Sequence, residues 1–298
     1  MRKFAQIMSL VLIFTSQGCQ KEIEYNGPGK DSVMVLNGVV ENDSIFRIRL
    51  ERSVFFLSNE PETDKYITSG ATVNVTNLTT NQTYTLNQST SGNIYDFPFN
   101  VTPNTKFKIN VSHPAYPTIE SEMTATSKVD IVSVDTASIV KDQQPFLKTK
   151  ITWNDPSDSD NYYMIRMEST YTSAFENYEY PQYLLCNDAS IDNSENTDID
   201  GSIYSVPDLM FNDDKFNGQT KTLEFLTSFY PHYSDPSNPS TVSYDIYLIT
   251  MNKETYQYYV SMKKNINMDF FSEPVKVYSN ILNGFGIFGT LNYSKYSL

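Results

Sequence analysis

Val33-Met34-Val35-Leu36-Asn37-Gly38-Val39-Val40, followed after a short polar turn by Ile45-Phe46-Arg47-Ile48-Arg49-Leu50, decides the fold class. The first run is almost continuously apolar and reads as a buried strand. The second alternates apolar residues with arginine, one face inward and one to solvent. The same period of two returns in Ala71-Thr72-Val73-Asn74-Val75-Thr76 and in Lys106-Phe107-Lys108-Ile109-Asn110-Val111, with Asn81-Gln82 expected to turn the chain into Thr83-Tyr84-Thr85-Leu86. Seven or so short strands in about 95 residues predict an immunoglobulin- or fibronectin-like β-sandwich over residues 32–126, without the cysteine pair of a true immunoglobulin domain.

Downstream the pattern stays β-rich. Ile151-Thr152-Trp153-Asn154, Tyr162 to Met167, Lys221 to Phe229 and Ser243 to Thr250 read as strands, and Asn187 to Gly201 as a long acidic loop. Lys253 to Ile266 alone has helical spacing, with Tyr256, Tyr259, Val260 and Lys263 on one side and Asn252 as the N-cap. Residues 127–298 are therefore expected to form a second β-rich domain with one helix, and the chain is mainly β. The tail, through Gly284, Gly286 and Gly289, is expected to pack on this second domain.

The first residues carry a different signal. Arg2 and Lys3, the apolar Phe4 to Phe14 and the polar Thr15 to Gly18 have the layout of an export leader ending at Cys19. The apolar part is too short to cross a bilayer, which needs roughly 20 residues. The expectation is a lipoprotein signal over 1–18, lipidation at Cys19, and a tether over 19–31 containing Gly27-Pro28-Gly29. Ser16, where Leu, Val or Ile is usual, departs from the pattern.

Composition narrows the function. The net charge of −13 falls by two more when Arg2 and Lys3 leave with the leader, which argues against nucleic acid and against adhesion to anionic lipid. Aromatic residues make up 14%, with 22 Tyr, so the chain folds. Cys186 has no partner once Cys19 is lipidated and reads as a small buried residue. His113 and His232 sit in turn-like contexts, and no Gly-x-Ser-x-Gly elbow is present.

Asn196-Thr197-Asp198-Ile199-Asp200-Gly201 approximates the front of a calcium loop through Asn196, Asp198 and Asp200, but Pro207 stands where the closing Glu belongs, which excludes an EF-hand. The segment reads first as a solvated acidic loop. The alternative is an irregular Ca²⁺ site completed by Asp188 or Asp192, and Asp155, Asp158 and Asp160 form a second acidic cluster. No other cofactor is expected. The sharper functional signal is aromatic: Tyr171, Phe175, Tyr178, Tyr180 and Tyr183 fall where alternation breaks down, and Phe229, Tyr230 and Tyr233 join two prolines. Tyr178, Tyr180, Tyr183 and Tyr230 are the candidate ligand-binding residues, since aromatics on loops stack on sugars or anchor partners.

Several segments together resemble a Bacteroidota family catalogued as domain of unknown function 4249. They are the Val35-Leu36-Asn37-Gly38 strand, Pro103-Asn104-Thr105, His113-Pro114-Ala115-Tyr116-Pro117, Trp153-Asn154-Asp155-Pro156 and Phe216-Asn217-Gly218. Cys19, Phe107 to Val111, Asn161-Tyr162-Tyr163, the helix around Tyr256-Tyr258-Tyr259, Ser272-Glu273-Pro274-Val275, Tyr278-Ser279-Asn280 and Gly284 to Gly289 complete the set. The resemblance implies a lipid-anchored outer-membrane protein, commonly encoded beside TonB-dependent transporters, and brings no catalytic residues with it. Gln20-Lys21-Glu22-Ile23-Glu24 resembles the signals that export such lipoproteins to the cell exterior. Ser32, Ser44 and Thr136 sit in Asp-Ser/Thr-apolar triplets that resemble O-glycosylation sites of these bacteria. The expected function is a non-enzymatic accessory or binding subunit of a TonB-dependent transporter or other outer-membrane barrel. The alternative is a free-standing carbohydrate- or peptide-binding surface lipoprotein.

Overall fold

The computed structural model describes residues 31–41, 45–55, 65–67, 69–90, 92–98, 101–192, 202–228, 240–266 and 275–298. The chain is mainly β. In order it forms β1 (Met34–Glu41), β2 (Phe46–Arg52), β3 (Thr72–Asn77), β4 (Gln82–Thr85), β5 (Asn87–Gln88), β6 (Ile94–Phe97), β7 (Lys106–His113) and β8 (Tyr116–Thr124). Then come β9 (Ile131–Lys141), β10 (Gln144–Asn154), β11 (Tyr162–Ser173), β12 (Asn177–Pro181), β13 (Leu184–Leu185), β14 (Asp208–Asn212), β15 (Thr220–Ser228) and β16 (Ser240–Met251). A helix, α1 (Lys253–Ile266), precedes β17 (Phe285–Ser297).

One long sheet, ordered β12-β11-β16-β17-β1-β2-β6-β5 with β14 added to β11, runs the length of the molecule. Two four-stranded sheets accompany it, β4-β3-β7-β8 and β13-β15-β10-β9. The alternation read in the sequence does what it predicts. Phe46, Ile48 and Leu50 point into a first core with Met34, Leu36, Val73, Val75, Phe107, Ile109 and Val111, while the arginines of β2 face out. A second core gathers Trp153, Tyr163, Ile165, Met167, Phe211, Phe216, Leu223, Phe225, Ile246 and Leu248. Trp153 packs against the rings of Tyr163, Phe211 and Phe216 at 5.6, 5.9 and 6.0 Å.

The β3–β4 hairpin turns over residues 78–81, one position earlier than expected, and Gln82 already pairs with Asn77. The Asn77 side chain sets this by accepting from the amides of Thr79 and Thr80 at 2.9 and 3.1 Å, and Asn81 supplies the positive φ of 56°. The helix occupies the expected span. Asn252 caps it, its Oδ1 accepting from Thr255 N and Thr255 Oγ1 at 3.4 and 2.6 Å.

The tail departs most from expectation. It packs on both halves, because β17 pairs in parallel with β1 over Phe285 to Leu291 and then antiparallel with β16 over Leu291 to Ser297. Ile281 and Phe288, from the end of the chain, belong to the first core. The link after β8 is stitched to the same strand region: Thr126 N donates to Thr290 Oγ1 at 3.0 Å, and Ile131 N to Ser294 Oγ at 3.1 Å.

Candidate functional site

β17 also sets the long dimension. From Phe285, beside the start of β1, the path along β17 reaches Ser297 opposite Asp245 and continues through β16 to Ser240 opposite Ser173. At about 3.3 Å per residue that path is about 55 Å long. The chain enters at one end, and the β11–β12 turn forms the other.

Aromatic side chains crowd that far tip. Ser173 builds the turn: its N–H donates to Glu176 O at 2.9 Å, while its Oγ accepts from the amides of Phe175 and Glu176 at 3.3 and 3.1 Å. Phe175 is thrust out, 84% exposed. Tyr178 and Tyr180 lie directly opposite Tyr171 and Ser169, on the face that nearer the middle carries core Met167 and Ile165. They stand in the open because β13, the strand of the facing sheet that the chain enters next, is only two residues long. Tyr178 stacks on Tyr171 at 6.5 Å and meets Tyr180 at 6.0 Å, with Tyr183 exposed beyond them. The Glu176 carboxylate hydrogen-bonds the Tyr178 phenol and keeps its pKa above the ordinary tyrosine value, so the ring stays a neutral donor. Ser240, the start of β16, lies opposite Ser173 at the same end. Tyr230, His232 and Tyr233 lie outside the described residues.

Other candidates fall elsewhere. Cys19, Ser44, Asn196, Asp198 and Asp200 lie outside the described residues. Ser32 is half-buried and accepts from Arg52 Nη1 at 3.4 Å, and Thr136 is exposed on β9. Asp188 is engaged: Lys221 Nζ reaches it at 2.8 Å and Ser190 Oγ at 2.6 Å. Burial pushes this carboxyl up, but those donors outweigh it and its pKa ends lowered. Asp158 and Asp160 line an open cleft of about 400 Å³ between the two cores, across from Lys253 and Glu254. Among the described residues no group of three or more His, Cys, Asp or Glu comes together to hold a metal. His113 closes a turn, its Nδ1 accepting from Ala115 N at 3.0 Å. Cys186 is buried, and desolvation raises its thiol to about 11.

Sequence reasoning missed what the glycine-rich ending does. Leu36 pairs with Gly286, Gly38 with Phe288 and Val39 with Gly289, so two of the most recognisable segments are one seam. A Cβ on Gly286, whose φ is +107°, would sit 2.0 Å from Leu36 O. One on Gly289 would meet Thr255 Oγ1 at 2.0 Å. Asn280 braces the strand by donating to Phe288 O at 2.7 Å and accepting from Phe288 N at 2.9 Å. A family profile described as Domain of unknown function (DUF4249) matches residues 20–297, from just after Cys19 to the end of β17. The chain belongs to the DUF4249 family. No curated protein matches it. Several of the DUF4249 segments singled out in the sequence thus coincide with backbone constraints: seam glycines, the Asn280 brace, and Asp155, which receives Gly218 N at 2.8 Å, while Ser272 to Pro274 lie outside the described residues. The aromatic tip lies apart from them.

Proposed function

We propose that this DUF4249 protein is a lipid-anchored protein of the outer membrane, facing the cell exterior, that works by contact as a non-enzymatic accessory or binding subunit of a TonB-dependent transporter or other outer-membrane barrel. The observation that carries the reading is the aromatic tip, about 55 Å along the long sheet from the strand where the chain arrives from Cys19. An anchor at one end and a cluster of exposed rings at the other is the arrangement of a protein that reaches across to a partner. Phe175 and the tyrosines provide large, stiff, amphipathic contact area of the kind that dominates interfaces. The family profile beginning at residue 20 agrees with a leader that ends before the shared domain.

Affinity purification of the tagged full chain from native membranes in mild detergent tests the reading. A barrel protein is expected to co-purify, and Tyr178→Ala with Tyr180→Ala is expected to cut its recovery at least tenfold while leaving the chain folded. Recovery of the chain alone removes the basis of the partner claim.

A second reading, a free-standing carbohydrate- or peptide-binding lipoprotein, is favoured by one specific feature. The exposed Tyr178 and Tyr180 rings and the half-buried Tyr171 form a continuous ladder suited to stacking on flat apolar faces of sugars. Glycan-array binding by the isolated chain, lost in the same double variant, selects it over the barrel.

A further inference from the structure

The open edge of β9 carries an inference independent of the tip. β9 is the outermost strand of its sheet, and among the described residues nothing pairs with its free side. Asp142 and Gln143, with φ of 51° and 64°, make a two-residue turn, so Lys141 and Gln144 exchange hydrogen bonds. Alternation along the ladder then turns the N–H and C=O groups of Val134, Thr136, Ser138 and Val140 outward. Pro145, which has no N–H, falls opposite Val140 as this phase requires.

Edges of this length are usually blunted by proline, by a bulge or by inward-pointing charge. Here the only bulge lies near Ile131, at the other end of the strand. Asp135 to Ser138 are exposed, Val140 is 76% exposed, and the four outward residues carry small or β-branched side chains without charge. The strand is also complementary to itself. Set antiparallel to a second β9 about a two-fold axis through Ala137, Val134 faces Val140 and Thr136 faces Ser138, which closes about eight hydrogen bonds. Asp135 then lies diagonal to Lys141 of the second copy, and the symmetry repeats the pair. A partner strand of unrelated sequence has no such built-in register.

We propose that two copies of this chain associate through β9 in this register, joining the β13-β15-β10-β9 sheets into one eight-stranded sheet. The acid–base pairing of Asp135 with Lys141 selects the second copy as occupant. Ala137 on the axis gives a direct test, because directly opposed residues in a pair of this type lie within disulfide reach. Ala137→Cys in the full chain, expressed in intact cells under oxidising conditions and run on a non-reducing gel, is expected to give a dimer band. The wild-type chain, with Cys19 and Cys186, is the blank. Sedimentation of the full chain in detergent supplies the second readout. Asp135→Lys is expected to raise the dimer dissociation constant at least tenfold, and Asp135→Lys with Lys141→Asp to bring it back. No cross-link, a cross-link to a different polypeptide, or a dimer indifferent to both charge variants overturns the proposal.

Discussion

Asp155 shows at the scale of one residue how this chain holds its second core. It is 7% exposed and receives the Tyr163 hydroxyl at 2.5 Å and Gly218 N at 2.8 Å. Burial raises its pKa above the ordinary aspartate value, Tyr163 and Gly218 pull it back, and nearby Asp213 adds to the rise. A carboxyl raised in the folded state contributes stability that is complete below the unfolded value of about 3.9 and is lost as pH climbs through the folded one. Tyr163→Phe removes a donor to the charged form and raises the folded value further. The variant is therefore expected to lose about 2 kcal/mol relative to wild type at neutral pH and less near about pH 3, below both the unfolded and the raised folded value, where the carboxyl is protonated. Urea unfolding at both pH values checks this, and an equal loss at each would refute the assigned role. The acid itself stands out in Trp153-Asn154-Asp155-Pro156. Its partners, 8 and 63 positions away, are set by packing and carry no local signal.

Among elements, those with one wet and one dry face were the readable ones. β2, β7 and β15 alternate because a half-buried strand must, and α1 shows helical spacing because one side packs on the long sheet, with Tyr256 against Tyr162 at 5.0 Å. β9 and β12 escaped notice for the opposite reason. All of β12 and most of β9 are exposed, so no burial period marks them. The helix cap is an element-level device with a reach beyond the helix, since Asn252 Oδ1 also accepts from Thr290 N in β17 at 3.1 Å. Asn252→Ala is expected to cost about 1–2 kcal/mol. Differential scanning calorimetry measures it, and Asn252→Ser, which keeps an N-cap acceptor without setting a second carboxylate against Glu254, should recover part of the loss.

For the molecule as a whole, the seam between β1 and β17 makes the two cores interdependent. Gly286→Ala forces a Cβ against Leu36 O at a backbone angle that side chains rarely adopt, so a loss of several kcal/mol is expected, felt in both cores. The check is whether Trp153 fluorescence, a reporter of the second core alone, falls at the same lowered urea concentration as far-UV circular dichroism. Retention of the wild-type Trp153 midpoint would show the cores to be separable. The sequence by itself determined the β class, the strands and helix that bury one face, the folded aromatic-rich body and the family, because each follows from local periodicity, composition or short motifs. Only the tertiary structure decided that the last strand serves both cores, that the tyrosines meet at one tip and that β9 is left open. Those features depend on pairings between residues as much as 250 positions apart, as in Val35 with Phe285, and no local pattern encodes which distant strand closes a sheet.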